Sequence, residues 1–218
     1  MHGILTSTAN KYFHSTQAAG ITHTPVFVSV GIPFTNIVHM IVTTPNTNYV
    51  SDGFFGIGEP ILGTDVYRAW ALPDFSLIPS GKIFNTSIMN ITPIQDVSNN
   101  SRVMDARRSL RNVVASEITW NNASSGVAWA TPGGGNATTD YDGATAIGTV
   151  TQPASPTLNT PLQMTMAADE LQKLYDGTYP NYGMLLFVAT QTDDNIIYAG
   201  PAYATAAYRP FITVTYWN

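Results

Sequence analysis

The stretch that most limits the fold is Gly183-Met184-Leu185-Leu186-Phe187-Val188-Ala189, which contains no polar side chain. A run this short and this apolar predicts a strand buried on both faces, at the centre of a packed sheet. Its neighbours agree. Upstream, Met166 to Tyr175 places Leu171, Leu174 and Tyr175 on one helical face, and Asp169 and Glu170 stand early, where the helix dipole favours acids. Gly177 follows as a helix stop. Downstream, Phe211 to Trp217 alternates: Ile212, Val214 and Tyr216 face one way, Phe211, Thr213, Thr215 and Trp217 the other. Pro210 keeps that strand from starting earlier.

The rest of the chain must cover these two strands. Its 218 residues suffice for one sizeable β domain, or a smaller domain with an arm. Only 11% are charged, against about 25% in ordinary domains. The polar surface is therefore made of Asn, Thr, Ser and Gln, with little charge to oppose self-association, which predicts a homo-oligomer or a subunit of an assembly. A net charge of −5 argues against nucleic acid as partner. The absence of cysteine excludes disulfides, zinc-thiolate sites and thiol catalysis. No apolar run approaches the roughly 18 residues of a membrane span. Met1 to Ser7 lacks the basic segment and apolar core of a signal peptide, so the chain reads as made in a cytoplasm.

Residues 1–51 hold no acid, all four histidines (His2, His14, His23, His39) and a single basic residue, Lys11. This composition shift predicts a docked N-terminal arm over 1–44 and a main domain over 45–218. Within the arm, 26–30 and 37–42 read as strands split by a turn at Gly31-Ile32-Pro33. Beyond it, 66–72, 83–91 and 118–120 read as strands, while 124–143 and 151–161 read as loops. Strands dominate and one helix is convincing. The expected fold is all-β: a jelly-roll β-sandwich with one short helix and an N-terminal arm.

An ordered set of segments carries a family resemblance. They are Asn46-Thr47-Asn48-Tyr49, Tyr67 to Leu72 with Ile78 to Ile83, Glu117-Ile118-Thr119-Trp120-Asn121, Thr131-Pro132-Gly133-Gly134, Asn181 to Leu186, and Arg209 to Tyr216. In this order the chain resembles DNRLRE-type domains over about residues 45–217. The resemblance implies a jelly-roll sandwich related to carbohydrate-binding modules. Two departures stand out: Gly135-Asn136 replace the Asp that often follows Thr-Pro-Gly-Gly, and no acid lies between Ala199 and Tyr208. Trp120 reads as a buried aromatic, and Arg209 as a loop anchor bonded to carbonyls.

No nucleophile elbow, zincin motif, P-loop or dinucleotide glycine pattern is present, so the chain reads as non-enzymatic, with no cofactor and no metal. Asp140 and Asp142, flanking Tyr141, have the composition of a glycosidase pair or a Ca²⁺ site, with loop solvation as the plainer account. Asp193-Asp194-Asn195 reads as a hairpin turn. Trp129 and Tyr141, in a long polar loop, are the candidate glycan-stacking residues. Arg102, Arg107, Arg108 and Arg111 form a candidate grip for an acidic partner, the alternative being pairing with local acids.

These features predict a structural protein of a virus particle, a bacteriophage capsid decoration or fibre-type subunit, made in the host cytoplasm and displayed on the virion surface. Residues 1–44 would contact the shell or neighbouring copies, and the sandwich would face outward, toward host polysaccharide. The alternative is an extracellular carbohydrate-binding module or adhesin of a cell-surface protein.

Overall fold

The computed structural model describes residues 26–60, 63–190 and 192–217. Eight antiparallel strands form a closed barrel: β1 (Phe27–Ile41), β3 (Tyr67–Pro73), β4 (Phe84–Ile91), β6 (Arg102–Ser109), β9 (Tyr141–Gln152), β10 (Leu162–Met166), β11 (Met184–Val188) and β13 (Phe211–Trp217). A second sheet joins β2 (Phe54–Ile57), β12 (Asp194–Ala199) and β5 (Pro93–Ser98), and a ribbon pairs β7 (Asn122–Ser124) with β8 (Val127–Ala128). The helix, α1, spans Ala168–Tyr175. Among the described residues the fold is all-β apart from this helix and two short 3-10 turns.

The order around the barrel is β1-β13-β4-β10-β9-β6-β11-β3. Counting barrel strands along the chain, the first lies beside the last, the second beside the seventh, the third beside the sixth, and the fourth beside the fifth. This is the pattern of one long hairpin wound round a barrel.

Alternation builds the interior. Ile212, Val214 and Tyr216 of β13 point inward, with Met89 of β4, Met164 of β10, Met104 and Ala106 of β6, and Ala69 and Ala71 of β3. Leu171 and Leu174 of α1 join this core. Gln172 fixes the helix to the barrel, accepting from Phe84 N–H at 2.8 Å and donating to Lys82 C=O at 3.2 Å. Gly177 has φ of 80°, the left-handed conformation expected after the helix.

The apolar run at β11 is buried on both faces, as expected. Met184, Leu186 and Val188 enter the barrel core; Leu185 and Phe187 enter a second core outside it. That second core also takes Val38 and Met40 of β1 and Trp70 of β3. It is covered by Val113, Ile118, Trp120, Ala123 and Trp129, all from the long connection between β6 and β9.

Three expectations need correction. The turn at Gly31-Ile32-Pro33 does not form, because β1 runs unbroken for 15 residues. Phe27 to Pro33 pair with β13 and Phe34 to Ile41 with β3, with a register shift between Phe34 and Asn36. Pro33 sits where the strand changes partner, a place that tolerates a missing N–H. It follows that residues 27–41 belong to the barrel, so the boundary at 44/45 does not separate an arm from a domain. The rest of the expected arm, with His2, Lys11, His14 and His23, lies outside the described residues. Third, 118–120 is not a strand: it follows the turn at 115–117, which Ile118 N–H closes on Val114 C=O at 2.9 Å, and Asn122 N–H reaches Thr119 Oγ1 at 3.1 Å. Trp120 is nonetheless buried, as expected.

Candidate functional site

The sequence-chosen residues occupy structural positions. Trp129 is 5% exposed and donates its Nε1–H to Thr119 C=O at 3.0 Å. Its ring is core, with no face to offer a sugar. Tyr141 is the first residue of β9 rather than a loop residue; it is half-buried, with its ring 5.0 Å from that of Phe187. The arginines each meet an acid of their own chain. Arg102 Nε is 3.5 Å from Asp194, Arg107 is 2.9 Å from Asp105, Arg108 is 2.9 Å from Asp142, and Arg111 is 3.2 Å from Asp140. Arg108 also lies over the Tyr179 ring at 3.9 Å. Pairing with local acids accounts for all four.

Asp140 is not a solvated loop residue. Its carboxylate is fully buried and accepts from the N–H groups of Ala130, Thr131 and Asn136 at 2.8, 3.0 and 3.0 Å, as well as from Arg111. It gathers the 130–140 segment around one anion. Partial burial raises the Asp142 carboxyl, but Arg108 and the N–H groups of Ala144 and Thr145 outweigh this and hold it below the usual carboxylate range. Neither is arranged for acid–base work. Among the described residues, no three His, Asp or Glu side chains gather as a metal site would require. No helix among them is long and apolar enough to cross a membrane.

A cleft lies over the outer face of the three-stranded sheet. It has a volume of about 300 Å³ and is lined by Phe54, Pro60, Tyr67, Ile94, Gln95, Val97, Asn195 and Ile197. Gly56 shapes it: a Cβ there would stand 2.8 Å from the Tyr67 ring and 3.1 Å from Ile197, so glycine lets Tyr67 lie across β2. Gly58, with φ of 105°, would bring a Cβ within 2.5 Å of Asp194 C=O, and its own carbonyl accepts from Tyr67 N–H at 2.8 Å. Asp194 and Asn195 donate their N–H groups to Glu59 C=O at 2.8 and 2.9 Å, which locks β12 to the turn after β2. The Asn195 side chain is fully buried; its Nδ2 reaches Gly58 C=O at 3.4 Å, and its Oδ1 has no partner.

His39 underlies the cleft. It is 1% exposed, with ring centroids 4.7 Å from Tyr49, 5.5 Å from Phe54 and 5.9 Å from Tyr67, and its Nε2 is 3.5 Å from Asp52. Burial pushes its imidazole below the ordinary 6.5, against the opposing pull of Asp52 and a hydrogen bond to the Phe54 backbone. Burial, then Asp65 and Tyr49, pushes the Tyr67 phenol up.

A second surface is the open outer face of β1 (first half), β13, β4, β10 and β9. Its outward residues are uncharged: Ser29, Thr213, Thr215, Thr86, Ile88, Asn90, Gln163, Thr165 and Thr149, with Phe27, Phe211 and Trp217. Hydroxyls and amides link across strands. Thr86 and Thr215 lie 2.6 Å apart, Asn90 donates to Thr213 at 3.3 Å, and Gln163 donates to Asn90 at 3.2 Å. At its corner the exposed rings of Phe27 and Trp217 stand 3.8 Å apart.

Sequence reasoning missed Phe54, Tyr67, Gln95 and Asn195. Ile196 to Tyr198 is a short apolar run behind a turn, with Asp193 at φ of 48°, and Phe54 to Ile57 is another. What no local signal gives is the pairing of the two across some 140 positions. No protein-family model matches the chain, and no curated protein sequence matches it.

Proposed function

We propose that this chain is a non-enzymatic structural subunit of a virus particle, a capsid decoration or fibre-type protein, built on a jelly roll and displayed on the virion surface. The nested pairing of first strand with last, second with seventh, third with sixth and fourth with fifth supports the jelly roll, a fold used by capsid and lectin domains. The likeness to DNRLRE-type domains supports it too, since its motifs fall at joints of the fold. Trp120 is covered by Gly133, Trp70 abuts Gly183, and Arg209 donates to Tyr203 C=O.

The observation that carries the assembly reading is the open outer sheet, uncharged and flanked by exposed aromatics. Lone charges normally guard such a face from other chains. The test is light scattering on the full chain, beside a form lacking residues 1–25 and a Thr213→Lys/Thr215→Lys form. An intact chain that assembles, and a charged variant that stays monomeric, are the expected results. Three monomers at high concentration would end the proposal. A carbohydrate-binding module or adhesin is the second reading, favoured by the aromatic cleft over β2, β12 and β5; the two are compatible.

A further inference from the structure

We propose that this cleft binds a neutral sugar residue. The proposal rests on the glycan-binding reading and moves the site from Trp129 and Tyr141 to Phe54, Tyr67, Gln95 and Asn195. The cavity, at about 300 Å³, has the size of the smallest ligand pockets and suits a single sugar ring with its substituents. Phe54 is 40% exposed and rests on His39, which holds its ring in place while leaving one side to a ligand. With Tyr67 it supplies the apolar surface against which the C–H face of a sugar packs.

The polar groups narrow the class. Asn195 Oδ1 is a fully buried acceptor with no protein donor, in a residue lining the cleft. Buried acceptors are almost always satisfied, and no described residue satisfies this one; a donor on a ligand, or a water held with it, would do so. Gln95 adds an amide able both to give and to accept. Among the described residues none that lines the cleft is charged, so nothing there would repay desolvating an acidic sugar. An extended peptide fits less well. The cleft lies over the face of β12, whose edges are occupied by β2 and β5, so strand addition has no free backbone groups there.

The experiment uses the full chain and NMR shift mapping. The probes are N-acetylglucosamine, methyl α-mannoside and methyl β-galactoside, with glucuronate and N-acetyl-phenylalaninamide as comparators. At least one neutral sugar should shift the amides of Phe54, Gln95 and Asn195. Phe54→Ala should weaken it by about tenfold or more with an unchanged melting temperature. Asn195→Leu removes the unpaired acceptor, so it should abolish binding while melting no lower. Tighter binding of glucuronate, or binding of the phenylalanine amide alone, overturns the proposal. So does a neutral sugar whose binding ignores both substitutions, although the glycan reading then survives elsewhere on the molecule. Silence across these sugars and a broad glycan array overturns both.

Discussion

The barrel has two outer faces, and they differ in everything but backbone. Over the second half of β1, β3 and β11, the chain supplies its own cover: Trp120, Trp129 and Ile118 from the β6–β9 connection, held in shape by buried Asp140. Over the first half of β1, β13, β4 and β10, nothing in the described chain lies on the sheet, and the outward positions are Ser, Thr, Asn and Gln with Ile88 and, at the margins, Phe27, Phe211 and Trp217. The covered face needs apolar residues on both sides of its strands, and β11 reads as a continuous hydrophobic run. On the uncovered face β13 alternates, with Ile212, Val214 and Tyr216 inward. One β1 strand passes from the second pattern to the first as it changes partner.

The sharpest way to break this contrast is to unfasten the cover. Asp140→Ala leaves three N–H groups and Arg111 without their anion. Hydrogen bonds to a charged group contribute about 1.5 kcal/mol or more each, so urea denaturation should show a loss of about 3–5 kcal/mol. An unchanged midpoint would mean that the cover does not depend on Asp140. Trp129→Ala should follow, at about 3 kcal/mol, because a large core ring is removed. If its loss of stability were small, Trp129 would not be part of a packed core.

The opposite face should respond oppositely. Thr215→Lys, on an exposed strand position, should leave stability within about 0.5 kcal/mol. Its effect should appear in self-association instead. A large loss of stability would show that the face is already covered within one chain.

The smallest effect concerns His39. Its folded-state pKa is depressed, so the unfolded chain binds the proton more readily and stability rises with pH. The contribution is present above the unfolded value of 6.5 and is lost as pH falls toward the folded value. Melting temperature should therefore drop on acidification below about 6.5, and His39→Gln should flatten that slope. A slope unaltered by the substitution would assign it to groups other than His39.

Much of this was legible where burial is written locally. The two-sided run at 184–188, the alternation at 211–217 and the helix at 168–175 each stand as expected. The turn assigned to Gly31-Ile32-Pro33 failed because glycine and proline also serve where a strand bends between partners, a role visible only once the partners are known. The arginines were chosen because four of the nine basic residues cluster within ten positions, and Tyr141 and Trp129 because the segment around them looks polar and irregular. Its order comes from Asp140, whose three N–H donors are spread over 130–136. The cleft escaped notice for the same reason, since its walls meet only through the β2–β12–β5 pairing.

The nesting of first strand with last has a mechanical consequence. Phe27 faces Trp217 at the start of an antiparallel ladder. Tension applied between these two ends would load its hydrogen bonds one after another, from that corner inward, and the sheet would peel like a zipper. Tension between either end and α1 would load several ladders side by side. A barrel of this design resists traction according to where it is held, and single-molecule pulling from the two geometries should separate weak from strong by direction alone.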